Sequence, residues 1–233
     1  MKRTLDITRF FDVIFSLGAI VVLTPFMIPI VIGLKLTGEH YVFYEQARVG
    51  KGGKEFKLLK FATMLKDSPN MPGGLFTSKD DPRLLPMGKF LRKTKINELP
   101  QLINILRGEM SVIGYRPMVP EQFKDYPLAA KQKFATSIPG LSGIGSIVFR
   151  NEEEMLQSVA DDEEGKDRFH REVIIPYKAA LECWYIDHKS IFMYFRLIAL
   201  TVDAVQNPKS RRWWKELKGK GLPMPPKELR KYL

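Results

Sequence analysis

Between Val13 and Leu34 the chain runs for 22 residues without a charge, VIFSLGAIVVLTPFMIPIVIGL. At about 1.5 Å per residue such a helix reaches across roughly one bilayer thickness, so the run belongs in lipid or at the centre of a large core. A chain of 233 residues has room for about one domain and an appendage, and a wholly buried helix of this length is hard to house there. The run follows Lys2, Arg3 and Arg9, but it is too long for an ordinary signal-peptide core and no small-x-small cleavage site follows it. Thr24-Pro25 and Pro29 sit in its middle, where proline removes a backbone donor and clashes with the carbonyl four residues back. Lys35, Arg48 and Lys51 follow, so both flanks are basic and both ends are drawn to the cytoplasm. A bent, re-entrant helix over residues 1–36, kinked at Thr24 and Pro25, satisfies both observations. A kinked spanning helix is the alternative.

The formal charge of +11, from 37 Lys and Arg against 26 Asp and Glu, points to an anionic partner: a membrane, a nucleic acid or a phosphorylated substrate. No helix-turn-helix, zinc-finger or stacking-platform pattern accompanies the charge, which argues against nucleic acid. Cys183 has no second thiol, so the chain reads as an occupant of a reducing compartment. His40, His170 and His188 are far apart and show no zinc-binding spacing. The G-x-S-x-G, Walker and G-x-G-x-x-G patterns are all missing, which sets aside hydrolase-elbow, P-loop and dinucleotide chemistry.

Tyr41 to Met64 reads as a β-hairpin, with alternating apolar residues on either side of GKGG. Lys66 to Pro86 is a loop by its Asp, Ser, Pro and Gly content. Leu99, Leu102, Ile103 and Leu106 have helical spacing, with Asn97 as N-cap, Pro100 in the first turn and Gly108 past the end. Glu121 to Ser137 and Asn151 to Trp184 are largely helical by pattern. Ile191 to Val205 is apolar and too short to span, so it lies in the membrane interface or packs on the core. The tail from Asn207 holds nine Lys or Arg against two Glu beside Trp213 and Trp214, which suits anionic headgroups or a flexible solvated tail. The fold class is α/β or α+β, mostly helical, divided as residues 1–36, a domain over 37–206 and a tail over 207–233.

Between Lys79 and Pro117 lie DDPR, FLRKTKINELPQL and SVIGYRP. Arginines grip phosphate oxygens bidentately, and carboxylates nearby hold the Mg²⁺ that screens a pyrophosphate. This points to a nucleotide-diphosphate or phosphoryl-transfer site, although the same residues suit surface charges and caps.

KRTLDI ahead of the apolar segment, EQARVGKGGKEFKLLKF, DPRLLPMGKFLRKTKINELPQLINILRGEMSVIGYRP and IPGLSG together resemble the bacterial sugar transferases, monotopic polyprenyl-phosphate phosphoglycosyl transferases that begin surface-glycan assembly. The resemblance runs from about Lys2 to Gly143. It implies a re-entrant helix in the bacterial inner membrane, with the catalytic domain on the cytoplasmic face. It also implies a UDP-sugar donor, a polyprenyl phosphate acceptor and Mg²⁺. By position Glu98 matches the family's catalytic and metal-binding glutamate, and Lys60, Arg92 and Arg116 match its substrate-binding residues. Arg83, in DPR, belongs to the same substrate-binding set. In the family an aspartate attacks the β-phosphate to give a phosphosugar enzyme. Here that position is Asn97, a neutral amide. Tyr115, Ala62 and Tyr194 also depart from the pattern. Three routes follow: direct attack by the lipid phosphate with Asn97 orienting substrates, recruitment of Asp80 or Asp81, or a catalytically silent relative that binds the same ligands or a partner enzyme. A homo-oligomer is left open.

Overall fold

The computed structural model describes residues 2–71, 81–159 and 162–233. Asp80 lies outside the described residues. The elements run α1 (Lys2–Leu36), β1 (Phe43–Val49), β2 (Glu55–Phe61), α2 (Gly88–Lys93), α3 (Gln101–Arg107), β3 (Ser111–Ile113), α4 (Pro120–Lys124), α5 (Leu128–Ala135), β4 (Gly140–Ser142), α6 (Ile144–Val148), α7 (Glu152–Val159), α8 (Glu163–Phe169), α9 (Ile175–Asp187), α10 (Ile191–Gln206) and α11 (Arg212–Leu217). They form two compact units. The first contains Met1–Asp12, Arg48–Phe56 and Gly108–Leu233; the second contains Val13–Ala47 and Lys57–Arg107.

In the second unit α1 contributes one seam to a core and leaves most of its surface bare. Ile30 and Leu34, four residues apart, pack with Val42, Phe61 and Leu91, and Met27 and Val31 flank them. Val21, Val22, Phe26 and Ile32 are exposed. Among the described residues, Ile7–Leu36 is the segment long and apolar enough to cross a membrane, with 6 % of its most apolar window buried. Both prolines lie inside the helix, and the Thr24 hydroxyl donates to the Ile20 carbonyl at 2.6 Å. The alternation that predicts the hairpin holds: β1 and β2 pair, joined through a turn at Lys51–Gly53.

In the first unit β3 and β4 form a parallel pair with Ser111 opposite Gly140 and Ile113 opposite Ser142. Three-residue strands carry too little alternation to be read from sequence. Against this pair lie helices whose inner faces make the core. Tyr115, Tyr126, Ala130 and Phe134 pack on Ile175 and Ala179 of α9, with the Tyr115 and Phe134 rings stacked at 4.8 Å. A single π-helical turn, His170–Ile174, leads into α9, where Pro176 lacks the N–H that an α-helical turn needs.

Helix α10 packs one face on the core, and the tail folds back. Met193, Tyr194, Leu197, Leu200 and Ala204 of α10 are buried, so one face packs on the core, while Phe192, Phe195, Val202 and Val205 remain exposed. The flexible solvated tail is corrected: Trp213, Leu217, Leu222 and Leu229 are buried, and the indole N–H of Trp184 and the hydroxyl of Tyr177 donate to the carbonyls of Lys220 and Pro223, each at 3.1 Å. Nine cations do not keep a segment in solution when four large apolar side chains find a core.

Candidate active site

The segment from Lys95 to Arg107 makes a tight turn and then a helix. Lys95 adopts a left-handed conformation with φ of 61°, a costly choice for a residue with a Cβ. It reverses the chain into a 3₁₀ turn at Ile96–Glu98, and α3 follows Pro100. Gly108, with φ of 81°, ends α3 as the spacing predicts. The N-cap role of Asn97 is corrected. Asn97 lies inside the 3₁₀ turn, buried at 7 % exposure, and its Oδ1 has no hydrogen-bond partner among the described residues. The left-handed Lys95 moves Asn97 off the capping position. An unsatisfied buried acceptor costs about 1–3 kcal/mol, and such an atom calls for a ligand. Glu98 follows it, half-buried.

Helix α3 is tied to β2. Asn104 of α3 is fully buried; its Oδ1 accepts from the Leu59 amide at 2.9 Å and its Nδ2 donates to the Lys57 carbonyl at 2.8 Å. This amide takes the place of a strand neighbour along β2. Nothing in the local sequence separates it from a surface asparagine.

The second unit also contains four of the other residues expected from sequence. Lys60 of β2 is half-buried, and its Nζ donates to Gln46 Oε1 at 3.3 Å. Arg92 of α2 is half-buried, with one guanidinium nitrogen 3.8 Å from the Met64 sulfur. Arg83 is 4 % exposed and grips Asp81 bidentately, Nε to Oδ1 at 2.9 Å and a terminal nitrogen to Oδ2 at 2.6 Å. These bonds hold the Asp81 carboxyl down to about 2, against the cost of its burial and with help from the charge of Arg92. Asp81 is therefore an acceptor already committed to its partner. Thr24, on α1, belongs to the same unit.

Thr24 also lines an apolar groove of about 270 Å³, together with Ile20, Met27 and Val31 of α1 and with Leu99 and Pro100. Two of the residues that wall this groove, Leu99 and Pro100, are thus the immediate continuation of Asn97 and Glu98. One short stretch of chain presents two oxygen-bearing side chains and then a greasy wall.

Among the described residues no three His, Cys, Asp or Glu side chains form a metal cluster. Mg²⁺ seldom needs one, because it keeps several waters and is held by one or two protein oxygens plus substrate phosphates. The orphaned Oδ1 of Asn97, with a glutamate next in sequence, supplies oxygen donors of the type such a site uses.

Arg116 lies in the first unit, exposed, on the loop that follows β3. The Arg48 guanidinium donates to the Pro117 carbonyl at 2.8 Å, and the Arg116 amide donates to Glu182 Oε1 at 3.4 Å. Tyr115, Ala62 and Tyr194 are packing residues. Tyr115 and Ala62 are buried, and the Tyr194 hydroxyl donates to Asp12 at 2.8 Å. Asp12 itself is buried on α1 and also accepts from the Ser111 hydroxyl at 2.9 Å and the Val112 amide at 2.8 Å. Burial and the Asp12 charge push the Tyr194 hydroxyl far above its ordinary range. Asp12, Asn104 and Glu182 have no local motif, and sequence reasoning misses all three.

The family model described as bacterial sugar transferase matches residues 3–208. The chain is 36 % identical over 168 residues to the exopolysaccharide production protein ExoY of Sinorhizobium fredii, covering 66 % of this chain and 74 % of that protein. It is 30 % identical over 205 residues to an uncharacterized sugar transferase, EpsL, of Bacillus subtilis, covering 88 % of this chain and 87 % of that one. Similarity to the undecaprenyl-phosphate galactose phosphotransferase of Salmonella typhimurium is 33 % identity over 164 residues, 62 % of this chain and 33 % of the longer relative.

Proposed function

The chain belongs to the bacterial sugar transferase family, and from that premise we propose that it transfers a sugar 1-phosphate from a UDP-sugar to a membrane polyprenyl phosphate, initiating assembly of a surface polysaccharide or glycoconjugate. The observation that carries this reading is the unsatisfied Oδ1 of buried Asn97, beside Glu98, on a turn whose next residues wall an apolar groove. Polar residues followed in the chain by two that line an apolar groove, Leu99 and Pro100, suit an acceptor with a phosphate head and an isoprenoid tail. The name of the Salmonella relative, which includes undecaprenyl phosphate, supports the same class of acceptor. A re-entrant course for α1 brings the basic flanks at Lys35 and Arg48 to the cytoplasmic side of the inner membrane, where UDP-sugars are found.

Asn97 carries no anion and Asp81 is held by Arg83, so neither is the nucleophile. The acceptor's phosphate oxygen attacks the β-phosphorus of the donor. The bond from that phosphorus to the oxygen bridging the two phosphates breaks, and UMP leaves. The products are polyprenyl diphosphate sugar and UMP. Asn97 orients the attacking and receiving groups through its amide, and Lys60 and Arg92 neutralise donor oxygens. Glu98 and the Asn97 amide oxygen would hold Mg²⁺, which would screen the charge of the pyrophosphate. Arg83 supports this arrangement from the interior through Asp81.

The test is UMP release by the full-length protein in nanodiscs, with Mg²⁺, a panel of UDP-sugars, and polyprenyl phosphate present or absent. Release from at least one donor that requires the lipid is expected. Absence of release across the panel contradicts transfer and favours a catalytically silent relative.

A further inference from the structure

Helix α9 carries a carboxyl group that the proposed reaction does not use. Glu182 is 4 % exposed; its Oε1 accepts from the Arg116 amide at 3.4 Å, and the backbone of Gly145, in the first turn of α6, also favours its charged form. The carboxyl group therefore faces both α6 and the backbone of residue 116. The fit needs glycine: a Cβ on Gly145 would stand 2.5 Å from Glu182 Oε1. The second oxygen, Oε2, is buried and has no hydrogen-bond partner among the described residues.

Burial pushes the Glu182 carboxyl up to about 8, although the two backbone donors and the charges of Lys178 and Arg116 pull the other way. The hydroxyls of Tyr115, Tyr126 and Tyr185 also feel its charge. Arg116 from the loop and Lys178 from α9 are the cations that act on it. At neutral pH the group is therefore mostly protonated. It can accept the loop's hydrogen bond without placing a full negative charge beneath an arginine that must attract an anion.

We propose that Glu182 is a positioning residue for Arg116, fixing the loop backbone from which the guanidinium reaches a phosphate of the nucleotide sugar. This rests on the reading that Arg116 grips such a phosphate. Ionisation of Glu182 above about pH 8 introduces an anion that competes for Arg116, so affinity for the nucleotide falls there.

The experiment measures binding of UDP, with Mg²⁺, to the full-length protein in nanodiscs by calorimetry at pH 7 and pH 9. Arg116→Ala is expected to weaken binding roughly tenfold, and Glu182→Ala by a similar factor at pH 7. Glu182→Gln keeps an acceptor oxygen and never ionises. It is expected to restore the pH 7 affinity and to remove the loss of about threefold shown by the unaltered protein between pH 7 and pH 9. Gly145→Ala, which displaces Oε1, should weaken UDP like Glu182→Ala and serves in its place if that variant does not fold. Wild-type affinity in Glu182→Ala or Gly145→Ala, or an unchanged pH response in Glu182→Gln, overturns the positioning role. Wild-type affinity in Arg116→Ala instead overturns the phosphate reading on which it rests.

Discussion

Two carboxylates in this chain show how burial and partner decide what a residue type does. Asp81 is buried but gripped bidentately by Arg83, so its charged form is favoured. Glu182 is buried with one oxygen unpaired, so its neutral form is favoured. Linkage gives the sign for Asp81. Its folded value, about 2, lies below the unfolded value near 4, so the stabilisation is fully present above that unfolded value. It is lost as pH falls from about 4 through about 2. Thermal midpoints of the detergent-solubilised protein should fall across that window, and Asp81→Asn should be destabilised at pH 7 and show a shallower fall. Equal slopes for the two proteins contradict the pairing. The resemblance puts Asn97 at the family's nucleophile position, but nothing in the sequence marks it as an unsatisfied buried amide. Capping preference is a local rule, and the left-handed backbone at Lys95 overrides it.

At the scale of elements, periodicity carried the reading. The hairpin followed from alternation around a glycine turn, and α3 from apolar residues at helical spacing with Gly108 at its end. The β3 and β4 pair did not, because each strand has three residues and they meet across an intervening pair of helices. Nor did the anchoring of α1 at Asp12, whose bond to Tyr194 joins positions 182 residues apart. Three donors converge on one Asp12 oxygen, and two are buried side chains that would be stranded without it. Asp12→Ala should therefore lower stability by about 3 kcal/mol or more, with Asp12→Asn losing less because an acceptor oxygen remains. Urea unfolding followed by tryptophan fluorescence measures both. A loss under about 1 kcal/mol in Asp12→Ala would show that the three donors find other acceptors.

For the molecule as a whole, the apolar run near the N-terminus and the +11 charge narrowed the partners to anions at a membrane, and the ordered motifs carried the family. What composition could not supply was the identity of the attacking group. In the proposed transfer the lipid phosphate attacks directly, because Asn97 is neutral and Asp81 is committed to Arg83. Intact-mass spectrometry after incubation with a turned-over UDP-sugar and Mg²⁺, without lipid, tests this most directly, with Asn97→Asp alongside. The unaltered chain is expected to stay at its own mass while releasing UMP once polyprenyl phosphate is added, and Asn97→Asp to gain one sugar phosphate before any lipid is present. A sugar-phosphate adduct on the unaltered chain would contradict direct attack and place the nucleophile on another side chain.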